Sequence, residues 1–261
     1  MGGARQPRED GPPPVPPSHQ GCAIRSVRVQ LPARRGEPGG EPRGELRDRH
    51  EDGHHLHHLV WRLGPGVRVC SSAVLGGGIG PRAWILNAQV PGGYPRLDPD
   101  RHLAEIAAAE GLTGPGAGLM TAADVAAYTT GHDGGVTATV TTGLGVRGWA
   151  AAPDAEAPDA EARAPHRPGT VNIVLTLPTA LSDAALINAV ATATEAKVQA
   201  LLDAGLDCSG TPTDAVCVAA PEPGPDGGEP FAGPRSTWGA RIARAVHTAV
   251  LAGARPARDL S

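Results

Sequence analysis

The chain has 261 residues and a formal net charge of −4; of its 23 basic side chains, 22 are Arg and one, Lys197, is Lys. Gly (36) and Pro (27) make up about a quarter of it, with aromatics at 3%, against an ordinary Gly plus Pro share of ~12%. The acidic balance disfavours a nucleic-acid binder, no apolar run approaches the ~18 residues of a membrane-spanning helix, and a lone lysine preceded by Ala196 excludes a Gly-x-x-x-x-Gly-Lys phosphate loop.

Residues 1–50 hold nine Pro and eight Gly and few large apolar groups, too little to offset the entropy of ordering them. Residues 1–57 are therefore read as a disordered tail, and 58–254 as the folded domain. The tail ends in Glu51-Asp-Gly-His-His-Leu-His-His58. Imidazoles suit Zn, Ni or Cu, but no further ligands stand nearby at a metal-binding spacing. The cluster is read as a solvated tract, and no metal site is expected.

From His58 onward short strands are predicted at 58–63, 67–70 and 84–90, the first two around a Gly64-Pro-Gly66 turn. A helix runs from about 98 to 110, with Asp98 as cap and Pro99 at its first position. A short buried strand at 118–121 and a helical turn at 122–128 follow. The β-branched alternation over 135–142 is a strand, 150–168 is an Ala/Pro/acidic loop, and 170–176 is the most apolar strand. Ser182 caps a long helix running to about 204, a strand covers 214–219, and after a Gly/Pro loop at 221–230 the last helix spans about 236–252. Strands cluster early and alternate with helices later. That pattern predicts an α+β fold: mixed sheet layers packed by a few helices.

Three places carry candidate chemistry. Ser71-Ser72-Ala-Val-Leu-Gly-Gly-Gly78 is a hydroxyl pair and a Gly-rich turn able to present backbone N–H groups to an oxyanion, or an ordinary turn in a Gly-rich chain. Cys208-Ser-Gly-Thr-Pro-Thr-Asp214 packs hydroxyls and a carboxylate into one turn; such turns are also common without function. Lys197 is the third. At 100° per residue it falls about 20° from Leu186 on the 182–204 helix, close to Val190 and Leu201, with Glu195 on the opposite side. The only lysine thus lies in the apolar stripe. It is either a functional amine, or one half of a buried ion pair with Asp214, or a side chain that snorkels past the core edge. His102, His132, His166 and His247 are scattered, and no Gly-x-Ser-x-Gly elbow is present. The cysteines (Cys22, Cys70, Cys208, Cys217) show no Cys-x-x-Cys spacing, and the chain starts without an apolar leader. Both features predict a cytoplasmic, reducing location.

The order Ser71-Ser-Ala73, Gly77-Gly78, Asn87, Gly118-Leu-Met-Thr-Ala-Ala123, Thr142-Gly-Leu144, Gly169-Thr-Val-Asn-Ile173, Thr192-Ala-Thr-Glu-Ala-Lys197 and Gly210-Thr-Pro-Thr-Asp214 resembles the adenosylcobinamide amidohydrolases (CbiZ type) across about 60–252. One position departs: Pro212 stands where that family has a glycine, which removes an N–H. The resemblance implies hydrolysis of the amide joining the aminopropanol arm to the corrin ring, giving adenosylcobyric acid and 1-amino-2-propanol in cobamide salvage. The implied partner is a corrinoid small molecule, and no nucleic acid or membrane is expected. Assembly into a homo-oligomer is left open. No protein-bound cofactor is expected, since the corrinoid brings its own cobalt. An amide hydrolase needs a nucleophile, charge stabilisation and a proton for the leaving amine. Ser71, Ser72, Lys197 and Asp214 are the expected catalytic residues on that basis. Gly77, Gly78, Asn87, Thr121, Thr142, Thr170, Asn172, Glu195, Thr211 and Thr213 are the expected substrate contacts.

Overall fold

The computed structural model describes residues 25–27, 42–153 and 169–255. Most of the expected tail and loop residues 154–168 lie outside them. The elements are β1 (Arg25–Val27), β2 (Glu45–Glu51), β3 (His54–Arg62), β4 (Val67–Ser71), β5 (Gly78–Pro81), β6 (Trp84–Gln89), α1 (Pro99–Ala109), β7 (Gly116–Thr121), β8 (Thr129–Asp133), β9 (Val136–Leu144), β10 (Gly169–Thr176), α2 (Asp183–Asp203), β11 (Ala215–Pro221) and α3 (Thr237–Ala254), with a 3-10 turn at Val125–Ala127.

The strands form two sheets, ordered β1-β2-β3-β6-β7 and β5-β4-β11-β10-β9-β8. Each sheet has one parallel pair, β6 with β7 and β10 with β11, and its other pairs are antiparallel. A parallel neighbour cannot be reached by a tight turn. The two crossovers carry α1 and α2, which lie over the outer faces of their sheets.

Side-chain alternation then sorts the layers. Leu59, Trp61, Ile85 and Leu119 of the first sheet meet Val69, Val174, Cys217 and Ala219 of the second in an inter-sheet core. The other face of the first sheet, with Val60, Leu86 and Ala88, packs on Leu103 and Ile106 of α1. The other face of the second sheet, with Ile173, Leu175 and Val218, packs on Leu186 and Ala189 of α2 and Ile242 and Val246 of α3. The result is α1, sheet, sheet, then α2 with α3. This is an α+β protein of mixed sheets, the class the sequence predicts. α2 starts at the cap the sequence names, where Ser182 accepts the Ala185 N–H at 3.1 Å; α3 is capped by Ser236, which accepts the Gly239 N–H at 3.1 Å. Asp98 precedes α1 without capping it; its carboxylate is instead held by both arms of Arg96 at 2.9 Å.

The expected start of the folded part at residue 58 requires correction. β2 occupies 45–51 and β3 begins at His54, inside the stretch read as tail. The reason is that charge, not apolar area, fills this strand's inner positions. Arg49 is buried, donates to Glu51 Oε2 at 2.8 Å and to the Gln89 carbonyl at 2.6 Å, and Glu51 pairs with His102 Nε2 at 2.5 Å. A polar composition therefore hides a buried strand. β5 and β8 are further strands the sequence did not announce. The first is a Gly-rich edge, and the second contains Gly131, whose missing Cβ lets α3 approach: an added carbon would lie 2.1 Å from the Ala245 carbonyl oxygen.

Candidate active site

The candidate residues converge on one end of the second sheet. β4 ends there at Ser71, β9 ends there at Leu144, and β10 and β11 begin there. Register opposes Ser71 to Cys217, Asn172 to Ala215 and Thr141 to Asn172.

At the head of β11, Asp214 is held by four donors. Its Oδ1 accepts the Val171 N–H at 2.8 Å and the Thr211 hydroxyl at 2.5 Å; its Oδ2 accepts the Thr211 N–H at 3.1 Å and the Lys197 ammonium. A carboxylate offers about four lone-pair sites, so none is free for a substrate proton. Lys197 reaches this carboxylate from the buried stripe of α2, as its helical phase predicts, and is 7% exposed. Gly210 packs directly on the pair at φ +144°; a Cβ there would lie 2.1 Å from Asp214 Oδ2 and 2.5 Å from Lys197 Nζ. Pro212 takes the first corner of the Thr211–Asp214 turn, a position its fixed φ suits. The N–H that grips Asp214 belongs to Thr211, so Pro212 removes none of the four donors.

The hydroxyls divide by freedom. Ser71 is buried, donates to the Val216 carbonyl at 3.1 Å and accepts the Ala73 N–H at 3.0 Å. It also faces Cys217, whose thiol burial pushes up to about 12 against the opposing Ser71 contact. Ser72 is exposed; its Oγ accepts the Val216 N–H at 3.0 Å and its own hydrogen has no partner among the described residues. Thr170 and Thr213 share a 2.6 Å hydrogen bond over the Gly169 carbonyl, with Thr213 on the exposed side.

A second polar cluster crosses between the sheets. Asn172 Nδ2 donates to Asn87 Oδ1 at 2.8 Å and to the Met120 carbonyl at 3.1 Å, and Asn87 Nδ2 donates to Thr141 at 3.0 Å. Asn172 Oδ1 alone is left without a partner. Thr121, at the end of β7, accepts the Ala123 N–H at 3.0 Å.

Two expected residues, Thr142 and Glu195, stand apart from these clusters, and two glycines border Ser71. Thr142 faces α3: a Cβ on Gly253 would come within 2.5 Å of its hydroxyl. Glu195 is exposed on the solvent side of α2. Gly77 packs on the Ala73 carbonyl, and Gly78, at φ +87°, pairs with Ser71 at the edge strand. Arg82, which the sequence reading passed over, fixes this turn by donating to the Gly76 carbonyl at 2.7 and 3.0 Å. Trp149 was also missed. It is 45% exposed in the loop whose Gly148 pairs with Gly210, and one exposed indole beside a polar turn was the available signal. An open depression of about 450 Å³ lies between β7 and α1, lined by Leu75, Trp84, Ala104 and Leu112. It borders these residues only through Gly76 and Arg82.

These parts define a class: an α+β protein of two mixed sheets that gathers hydroxyls, a carboxylate and an ammonium at one sheet end. The family follows from the sequence as a whole. Residues 43–261 match the family model described as adenosylcobinamide amidohydrolase, and the chain belongs to that family. An adenosylcobinamide amidohydrolase of Methanosarcina mazei is 33% identical over 189 residues, covering 70% of this chain and 88% of that one. One of Halobacterium salinarum is 47% identical over 95 residues, covering 36% of this chain and 38% of the relative. The activity is that of an amidohydrolase acting on adenosylcobinamide in cobamide salvage. The matched segment begins at residue 43, close to the start of β2.

Proposed function

We propose that this family's reaction takes place at the Ser72–Asp214 end of the second sheet. The amide between the corrin propionate and the aminopropanol arm is cleaved, one water is added across the C–N bond, and adenosylcobyric acid and 1-amino-2-propanol leave. The carrying observation is the Lys197–Asp214 pair: the only lysine, buried and gripped from one side by a carboxylate with no free lone pair.

Asp214, expected from sequence among the catalytic residues, is a positioning residue in this reading. It holds the ammonium and shapes the 209–214 turn. Lys197 keeps N–H donors beyond the one given to Asp214. They serve the oxyanion as it forms or hand a proton to the departing amine. Ser72 is the hydroxyl best placed to attack or to orient the attacking water, because Ser71 has both donor and acceptor engaged with backbone. Thr213 and Thr211 line the approach, and Trp149 offers a face against which a large macrocycle can stack. Corrinoid cobalt is part of the substrate, and no step is assigned to it. Among the described residues no helix is long and apolar enough to cross a membrane, and Cys70, Cys208 and Cys217 are unpaired, which supports a cytoplasmic site of action.

The test is to incubate the chain with adenosylcobinamide and follow adenosylcobyric acid by mass spectrometry, in wild type and in Ser72→Ala and Ser71→Ala. Product from wild type, lost in Ser72→Ala but kept in folded Ser71→Ala, is the expected outcome. The opposite ranking of the two serines would move the reaction to the inter-sheet side.

A further inference from the structure

We propose that Asp48, His50 and His55 form a binding site for one divalent transition-metal ion of the zinc class on the β2–β3 hairpin. The sequence shows only a run of histidines beside a Gly. Cross-strand pairing supplies what the run lacks. Register opposes His50 to His55 and Asp48 to His57. Alternation puts all four side chains on one face, with directly opposed positions about 5 Å apart at Cβ.

The ligating atoms of Asp48, His50 and His55 all lie within 4.8 Å of one another. His50 and His55 are stacked with ring centroids 4.7 Å apart, and His57 meets His55 edge-on at 5.0 Å. His55 Nε2 stands 3.1 Å from Asp48 Oδ2. Ligands of one tetrahedral zinc stand roughly 3.3 Å apart, given metal–nitrogen distances near 2.05 Å. Closing the gap takes rotation of the exposed His50 and His55 rings toward the half-buried Asp48 carboxylate.

The frame under the site is fixed. The hairpin turns through Asp52 (φ 48°) and Gly53 (φ 78°), the left-handed pair of a two-residue type I′ turn, which sets register. On the opposite face of the same strands, Arg49 and Glu51 are buried and tied to Gln89 and His102. β2 therefore cannot slide, and the three ligands are presented by a rigid strand pair. Two imidazoles and one carboxylate are borderline donors that select Zn²⁺, Ni²⁺ or Cu²⁺ over Mg²⁺ or Ca²⁺. Three protein ligands leave the fourth position to water or to His57. The ion would clasp β2 to β3 at the end of the hairpin beyond the inter-sheet core.

The test uses the full chain stripped with chelator and titrated with Zn²⁺ by calorimetry and with Co²⁺ by visible absorption. The expected result is one ion per chain and a tetrahedral Co²⁺ spectrum. Affinity should fall at least about tenfold in each of Asp48→Asn, His50→Ala and His55→Ala, while His132→Ala, a change of an exposed histidine on β8, binds as wild type. Zn²⁺ should raise the thermal midpoint of wild type and not of the triple variant, whose unchanged circular dichroism shows that it folds. Absence of stoichiometric Zn²⁺ uptake, or uptake undiminished in the three variants, would overturn the proposal.

Discussion

Lys197 and Asp214 together illustrate how one residue's role depends on its neighbours. Taking both charges out of water is costly, and removing either partner strands the other. A buried pair of this kind persists in the Gly210 turn because Thr211 and the Val171 N–H satisfy the carboxylate's remaining sites. Lys197→Ala is expected to lower kcat for adenosylcobinamide at least about tenfold. Lys197→Arg should not restore it, because a branched guanidinium has no room over Gly210 and cannot stand in for a compact ammonium. Steady-state kinetics on variants checked for native circular dichroism decide the point, and wild-type rates in Lys197→Ala would remove the residue from the chemistry. The lysine was legible in sequence through its phase on α2, and the ion pair with Asp214 was among the readings it left open. That Asp214 is saturated, that Ser71 is occupied and that Ser72 is free were not legible. Those facts depend on which groups of β10, α2 and the 209–214 turn reach Asp214, and on which backbone groups of β11 lie opposite the two serines.

At the scale of an element, the β2–β3 hairpin is held by charge. Burial by itself raises the Glu51 carboxyl, but hydrogen bonds from His102 and Arg49 outweigh it and hold the group down to about 2 from an ordinary 4.5. A depressed carboxyl contributes stability that is fully present above its unfolded value and is lost as pH falls toward the folded one. The thermal stability of wild type should therefore fall as pH is lowered from about 4.5 to 2. Glu51→Gln should be less stable at neutral pH and flatter across that window; an identical pH profile in the variant would show that other carboxyls govern acid unfolding. The same element explains the misplaced boundary. Hydrophobic patterning finds strands that bury carbon, as in β10, whose Val171, Ile173 and Leu175 are all buried. It is blind to a strand whose buried positions are an arginine and a glutamate that satisfy one another.

The whole molecule is one stack of layers, and its tolerance to truncation follows from where that stack begins. Residues 1–41 precede β2, and only the three-residue edge strand β1 is described within them. Their removal is expected to leave adenosylcobinamide turnover within about twofold, since edge residues outside a core contribute little. Removal of residues 1–51 deletes β2 and strips Arg49 and Glu51 from His102, and should cost solubility or cooperative unfolding. Comparing the two truncations by thermal melting and product assay separates these outcomes. Equal behaviour of both would mean that the hairpin is dispensable.

The sequence by itself determined the α+β class, the helix cap at Ser182, the buried phase of Lys197 and, through a series of short motifs in order, the family. These are local or linear properties: periodicity, a cap's single hydrogen bond, and a register of motifs along one chain. Tertiary structure alone decided that 45–51 is a strand, that Thr142 faces α3, that Asn172 donates to Asn87 while Asn87 donates to Thr141, and that Asp48 and His50 lie beside His55. Each of these depends on strand register or on packing between elements, across the tight β2–β3 turn in one case and between segments distant in sequence in the others. A one-residue change of register would turn every side chain to the other face, and no local pattern in the chain encodes that choice.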